Sequence, residues 1–194
     1  TLIILISGPN NNLPKTVISR VQIIEVNRPT TEETLSWLNA VNPQEGWRQI
    51  IEIFGSKPTL LNKLGFDYLN SQIQQVANDL EKLLTKKIKP SELASSWKPE
   101  DLETNLRILY FWFSKFLYHN LLAEGESNLL PASLNNLLKL DLNTEESFTF
   151  LKEVAIIRKY KIEGRVLNWS LHITNLLGPM YSNLKGLQNN ESRT

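Results

Sequence analysis

From Phe66 to Leu84 the apolar residues Leu69, Ile73, Val76, Leu80 and Leu83 recur every three or four positions. That spacing gathers all five on one stripe of an α-helix and scatters them over both faces of a strand. A helix of this kind needs other helices to cover its stripe, and the chain supplies candidates on both sides. A capping signal at Thr30-Thr31 followed by Glu33 opens a predicted helix over about 31–41. A second, about 44–54, carries Trp47, Ile50, Ile51 and Phe54 on one face and stops at Gly55, a residue suited to a left-handed C-cap. A third covers about 58–65. Beyond the long helix, Lys86-Lys87-Ile88-Lys89-Pro90 breaks the pattern, and a short helix follows near about 91–97. Lys98-Pro99-Glu100 then announces the most apolar helix, about 100–122, with Pro in the first turn and acids beside the dipole. After the turn-rich Ala123-Glu124-Gly125-Glu126-Ser127-Asn128, helices are expected near about 131–138, 144–161 and 163–177.

The opening has a different texture. Leu2-Ile3-Ile4-Leu5-Ile6 is an unbroken, β-branched apolar run, too short for a helix, and reads as a parallel strand buried on both faces. Val21-Gln22-Ile23-Ile24-Glu25-Val26 reads as a second strand. Two strands cannot cover both faces of a buried sheet, so the remainder of the sheet is expected to lie outside this sequence. The expected organisation is therefore mainly α. Residues 1–28 end a truncated α/β domain, 29–65 form a small three-helix domain, 66–181 a larger helical domain, and 182–194 a polar, flexible tail.

Composition narrows function by exclusion. The chain has 194 residues, 41% of them hydrophobic, enough for a packed core. Its 21 basic and 20 acidic residues leave a net charge of +1, which gives none of the basic field of a self-sufficient nucleic-acid binder. The absence of cysteine excludes disulfides, thiolate metal sites and a cysteine nucleophile, and suits a reducing compartment, here expected to be the cytoplasm. The longest apolar stretches fall far short of the ~20 residues that span a bilayer, so no membrane role is expected.

Most residues that could carry chemistry have simpler roles. His119 and His172 stand apart without a carboxylate at ligand spacing, so neither a metal site nor acid–base work is expected of them. Glu32-Glu33, Glu100-Asp101 and Glu145-Glu146 open helices, where carboxylates complement the dipole. Lys86-Lys87-Ile88-Lys89 reads as a solvated complement to a helix C-terminus. No glycine-rich phosphate cradle ending in Lys-Ser or Lys-Thr occurs, and no cofactor and no catalysis are expected within these residues. Tyr110-Phe111-Trp112-Phe113, with Phe116, wraps more than one face of its helix and must be covered on all sides, either by its own domain or by a partner subunit.

The most informative loop is Leu13-Pro14-Lys15-Thr16-Val17-Ile18-Ser19-Arg20-Val21, between the two candidate strands. By spacing alone Arg20 reads as an ordinary surface arginine ending a loop. The segment resembles the L-L-P-T-I-x-S-R-C stretch of clamp-loader AAA+ subunits, with Val21 where that family usually has cysteine. Ile53-Phe54-Gly55-Ser56-Lys57-Pro58-Thr59-Leu60-Leu61 looks like the family's Gly-Ser segment in the lid domain. Gly164-Arg165-Val166-Leu167-Asn168-Trp169-Ser170-Leu171 loosely resembles its final collar helix. The resemblance implies an AAA+ remnant at 1–28, a lid at 29–65 and an oligomerising helical collar at 66–181. It implies that Arg20, preceded by Ser19, reaches the triphosphate bound by a neighbouring subunit, which a guanidinium fork does well. It also implies a place for Tyr110, Trp112 and Phe116 in the collar's subunit contacts. Active relatives carry an arginine near the Gly-Ser segment; Lys57 and Pro58 stand there instead. That favours the non-hydrolysing delta-prime type of bacterial DNA polymerase III. Its expected partners are gamma/tau- and delta-type subunits, with the sliding clamp and primed DNA reached through the complex. An active clamp-loader ATPase cut off from its phosphate loop, or an unrelated helical adaptor, are the alternatives.

Overall fold

In the computed structural model, residues 3–7, 13–122 and 144–191 are described. Among them the regular elements are all helices: α1 Lys15–Ile18, α2 Thr31–Val41, α3 Trp47–Phe54, α4 Pro58–Leu64, α5 Phe66–Leu84, α6 Pro90–Ser96, α7 Leu102–Leu122, α8 Thr144–Ile162 and α9 Trp169–Glu191. Local chemistry explains several of the boundaries. Thr30 and Glu33 form a reciprocal capping box: the Glu33 amide donates to Thr30 Oγ1 at 3.2 Å, and the Thr30 amide donates to Glu33 Oε2 at 2.7 Å. The same contacts hold the Glu33 carboxyl below its ordinary pKa, the backbone hydrogen bond from Thr30 being the main cause. The five-residue stripe of α5 is buried along its whole length.

The helices share one buried apolar cluster that runs from Leu38 of α2 to Met180 of α9. Helix α2 packs on both α3 and α4; α3 in turn meets α5 and α7, and α4 meets α5; α7 lies along α8, and α6 along α9. Aromatic side chains with a polar tip pin the connections, because a buried indole or phenol needs a partner for its N–H or O–H. Trp47 stacks edge-on against Phe66, 5.1 Å between centroids, and donates its Nε1–H to the Asn42 carbonyl at 2.9 Å. Trp97 donates to Asp79 at 3.0 Å and Tyr68 to Asp101 at 2.7 Å, so both ends of the 97–101 connection are tied to α5.

Three expectations are corrected. Neither of the two predicted strands forms: the described residues 3–7 and 22–30 have no regular structure, and Ile6 is 95% exposed. A strand is stable only with a ladder beside it, and the described residues offer none. Helix α3 begins at Trp47 and not at 44, because Gly46 takes a left-handed φ of 113°, where a Cβ would come within 3.4 Å of the Phe66 ring. Helix α9 begins at Trp169 and not at 163, since the Asn168 side chain accepts the Leu171 amide at 3.1 Å and acts as its N-cap. It continues past 177 to Glu191, with Met180 keeping the buried stripe of Ile173, Leu176 and Leu177 in phase. The helix expected near 131–138 lies outside the described residues.

Candidate functional site

Arg20 sits at the end of a single helical turn. The Pro14 carbonyl accepts the Val17 and Ile18 amides at 2.9 and 3.1 Å, which closes α1. The Ser19 amide then donates to Lys15 O at 3.0 Å, and the Arg20 amide to Val17 O at 3.0 Å. Ser19 Oγ donates to Thr16 O at 3.3 Å, so the serine is occupied in shaping the turn. Ser19 and Arg20 are both exposed, and the Arg20 guanidinium has no hydrogen-bond or ion-pair partner among the described residues. Its donor fork is presented to solvent.

A second cationic site lies where α3 turns into α4. The turn is Gly55-Ser56-Lys57, with Gly55 at φ 75° and Pro58 opening α4. Beneath it lies Arg107 of α7. Its Nε donates to Ile53 O at 3.2 Å, its Nη2 donates to Phe54 O, and its guanidinium lies 5.4 Å from the centre of the Phe54 ring. A cation on the last carbonyls of α3 complements that helix's negative end. One turn earlier, Glu103 accepts from Arg158 of α8 at 2.7 Å, which ties α7 to α8. Burial, more than any charge, lowers the pKa of both Lys57 and Arg107. Lys57 is lowered further by Arg107, Arg28 and Arg158, with Glu103 opposing them. Lys57 therefore feels three neighbouring cations against one carboxylate. The Arg158 Nε hydrogen is buried without a protein partner.

Sequence reasoning placed no arginine at the Gly-Ser segment, and along the chain none is there. The fold brings Arg107 to it from more than fifty residues away, and no local pattern around Arg107 signals that destination. The aromatic helix divides in two. Trp112 and Phe116 are buried, Trp112 to 1% exposure, in this chain's own core, where Phe113 meets Phe150 of α8 at 4.2 Å between centroids. Tyr110 is 38% exposed and is the one of the three whose side chain faces outward. His172 stands 6.4 Å from the Trp169 ring centre, and no cluster of three or more His, Asp or Glu able to hold a metal forms among the described residues. No helix among the described residues is long and apolar enough to cross a membrane.

Comparison with known proteins yields a distant clamp-loader-like relationship. The relative is DNA polymerase III subunit delta' of Pseudomonas aeruginosa, 28% identical over 116 residues. The aligned stretch covers 58% of this chain and 34% of the relative, so the chain spans about a third of that protein's length. No family model matches the chain, and no solved structure does.

Proposed function

We propose that the chain serves as a non-catalytic, delta-prime-like subunit of a clamp loader. It joins gamma/tau- and delta-type subunits in the complex that places the sliding clamp on primed DNA. The observation that carries this reading is the 116-residue similarity to DNA polymerase III subunit delta'. Residues 29–65 take the place of the lid and 66–181 that of the collar. Arg20 completes the ATP site of a neighbouring subunit; its guanidinium, exposed at the end of a hydrogen-bonded turn and unpartnered among the described residues, supports that role. There the fork would meet γ-phosphate oxygens and stabilise the charge that develops as the phosphoryl group leaves. Lys57 and Pro58 at the Gly-Ser turn, in place of a nucleotide-facing arginine, support a subunit that does not hydrolyse ATP itself.

The test is reconstitution with purified clamp-loader subunits. Arg20→Ala should leave assembly intact and slow ATP-driven clamp loading. Trans arginines in related phosphoryl transfers contribute on the order of a thousandfold or more, and the effect here is smaller because only one of several ATP sites is touched. Equal loading rates would remove Arg20 from the mechanism, and failure of the unmutated protein to assemble would remove the whole reading. Calorimetry on the isolated chain should show no ATP binding.

A further inference from the structure

The cations at the Gly55-Ser56-Lys57 turn come from separate parts of the chain: Arg28 from the segment before α2, Lys57 from the turn, Arg107 from α7 and Arg158 from α8. Their charges are unevenly answered. Glu103 accepts from Arg158 at 2.7 Å and neutralises it. Arg107, one turn along α7 from Glu103, donates to the Ile53 and Phe54 carbonyls, which orient the guanidinium without cancelling its charge. Lys57 and Arg28 are exposed and have neither a hydrogen bond nor an ion pair among the described residues. Like charges gathered in this way repel one another, more strongly where solvent is partly excluded. The two carbonyl bonds, with the Phe54 ring 5.4 Å from the guanidinium, nevertheless hold Arg107 against the turn.

Donors are left over as well as charge. Arg107 spends Nε and Nη2 on the carbonyls, and its Nη1 makes no hydrogen bond among the described residues. The Arg158 Nε–H is buried and has no protein partner there. Both guanidinium groups are half-buried, so an anion that reaches them meets donors already drawn out of water, where charge-assisted hydrogen bonds are strongest. Lys57, on its flexible stem, and Arg28 remain free to turn toward the same anion.

The kind of anion follows from the charge and the directions of approach. Three cations without a bound carboxylate call for more than one negative charge, which a lone carboxylate or chloride does not bring. Phosphate at slightly alkaline pH is mostly a dianion, and its tetrahedral oxygens accept from donors arriving from different sides, as they do from a turn and two helices. A base would find no stacking surface, because Phe54, the aromatic ring at the turn, is buried. We propose that the junction of the Gly55-Lys57 turn with α7 and α8 binds inorganic phosphate, held by Arg107 and Arg158 on the protein side and by Lys57 and Arg28 on the solvent side. The site is separate from Arg20 and requires no clamp-loader partner, so its failure leaves the proposed function untouched. Bound there, the ion ties the α3–α4 turn to α7 and α8 and stabilises the folded chain by mass action.

The experiment titrates sodium phosphate into the whole chain at constant ionic strength set with sodium chloride, followed by two-dimensional amide NMR. Saturable shifts are expected at the Gly55, Ser56 and Lys57 amides and at the side-chain Nε–H of Arg107 and Arg158. Lys57→Gln and Arg28→Gln each remove a charge that makes no hydrogen bond among the described residues. Both should keep the melting temperature and weaken phosphate roughly fivefold or more. Arg158→Lys, which keeps a cation beside Glu103 but has no Nε–H, should weaken it by a similar factor. Shifts that do not saturate, or that are equal when chloride alone is raised, overturn the site. So does any of the three variants binding phosphate as tightly as the unmutated chain. ATP or a short single-stranded oligonucleotide that shifts the same groups at lower concentration than phosphate overturns the assignment to the free ion.

Discussion

Trp112→Ala tests whether the aromatic helix serves the fold or a partner. The side chain is 1% exposed and among the largest buried groups in the chain. Truncation withdraws ~150–200 Å² of apolar contact, which at about 25 cal/mol per Å² amounts to roughly 4–5 kcal/mol. Large-to-small substitutions in other cores, cavity included, give about 3–5 kcal/mol for Trp or Phe to Ala. Against a typical domain stability of about 5–15 kcal/mol, that is roughly a fifth or more of the total. With a urea slope of about 2 kcal/mol per molar, the unfolding midpoint followed by far-UV circular dichroism should fall by roughly 1.5–2.5 M with the slope unchanged. Tyr110→Ala, at an outward-facing position of the same helix, should cost less than about 1 kcal/mol. A Trp112→Ala midpoint within about 0.5 M of the unmutated chain would refute the assignment of this residue to the core. A variant that folds normally but fails to bind partner subunits would transfer Trp112 to an interface.

Arg107→Ala should cost about 2–4 kcal/mol in urea unfolding, because it strips the cation from the Ile53 and Phe54 carbonyls at the end of α3. An unchanged midpoint would show that those carbonyls find water equally well. Thr30→Ala should cost about 1 kcal/mol through loss of the α2 cap. Because the folded Glu33 carboxyl titrates below its unfolded value, its contribution is complete above that ordinary carboxylate range and is lost as pH falls through the lowered folded value. The difference between the Glu33→Gln and unmutated midpoints should therefore shrink on acidification, and a constant difference from neutral pH down would refute the capping carboxylate. Removing residues 1–28 should leave the melting temperature unchanged, since the described part of that segment is almost wholly exposed. A lower melting temperature would show that it packs on the helices.

What the amino-acid sequence determined by itself was local. The α5 stripe of Leu69, Ile73, Val76, Leu80 and Leu83, the Thr30–Glu33 cap and the Pro58 start of α4 depend on residues within a turn or two of one another, so periodicity and capping chemistry revealed them. The apolar runs around Ile4 and Ile24 misled for the opposite reason. A strand is not a local object, and its residues say nothing of whether a neighbouring strand is present to complete the ladder. The aromatic run of α7 showed that cover was needed on several sides, yet only the packed helices decided that Trp112 and Phe116 point into the core while Tyr110 and Tyr118 point out. Arg107 is the clearest case. Its arrival beneath the Gly55 turn follows from how α7 crosses α3, with the guanidinium answering the carbonyls of a helix end that lies far away along the chain. Short-range order follows from short-range interactions; which cation meets which turn is decided by the packing of whole helices.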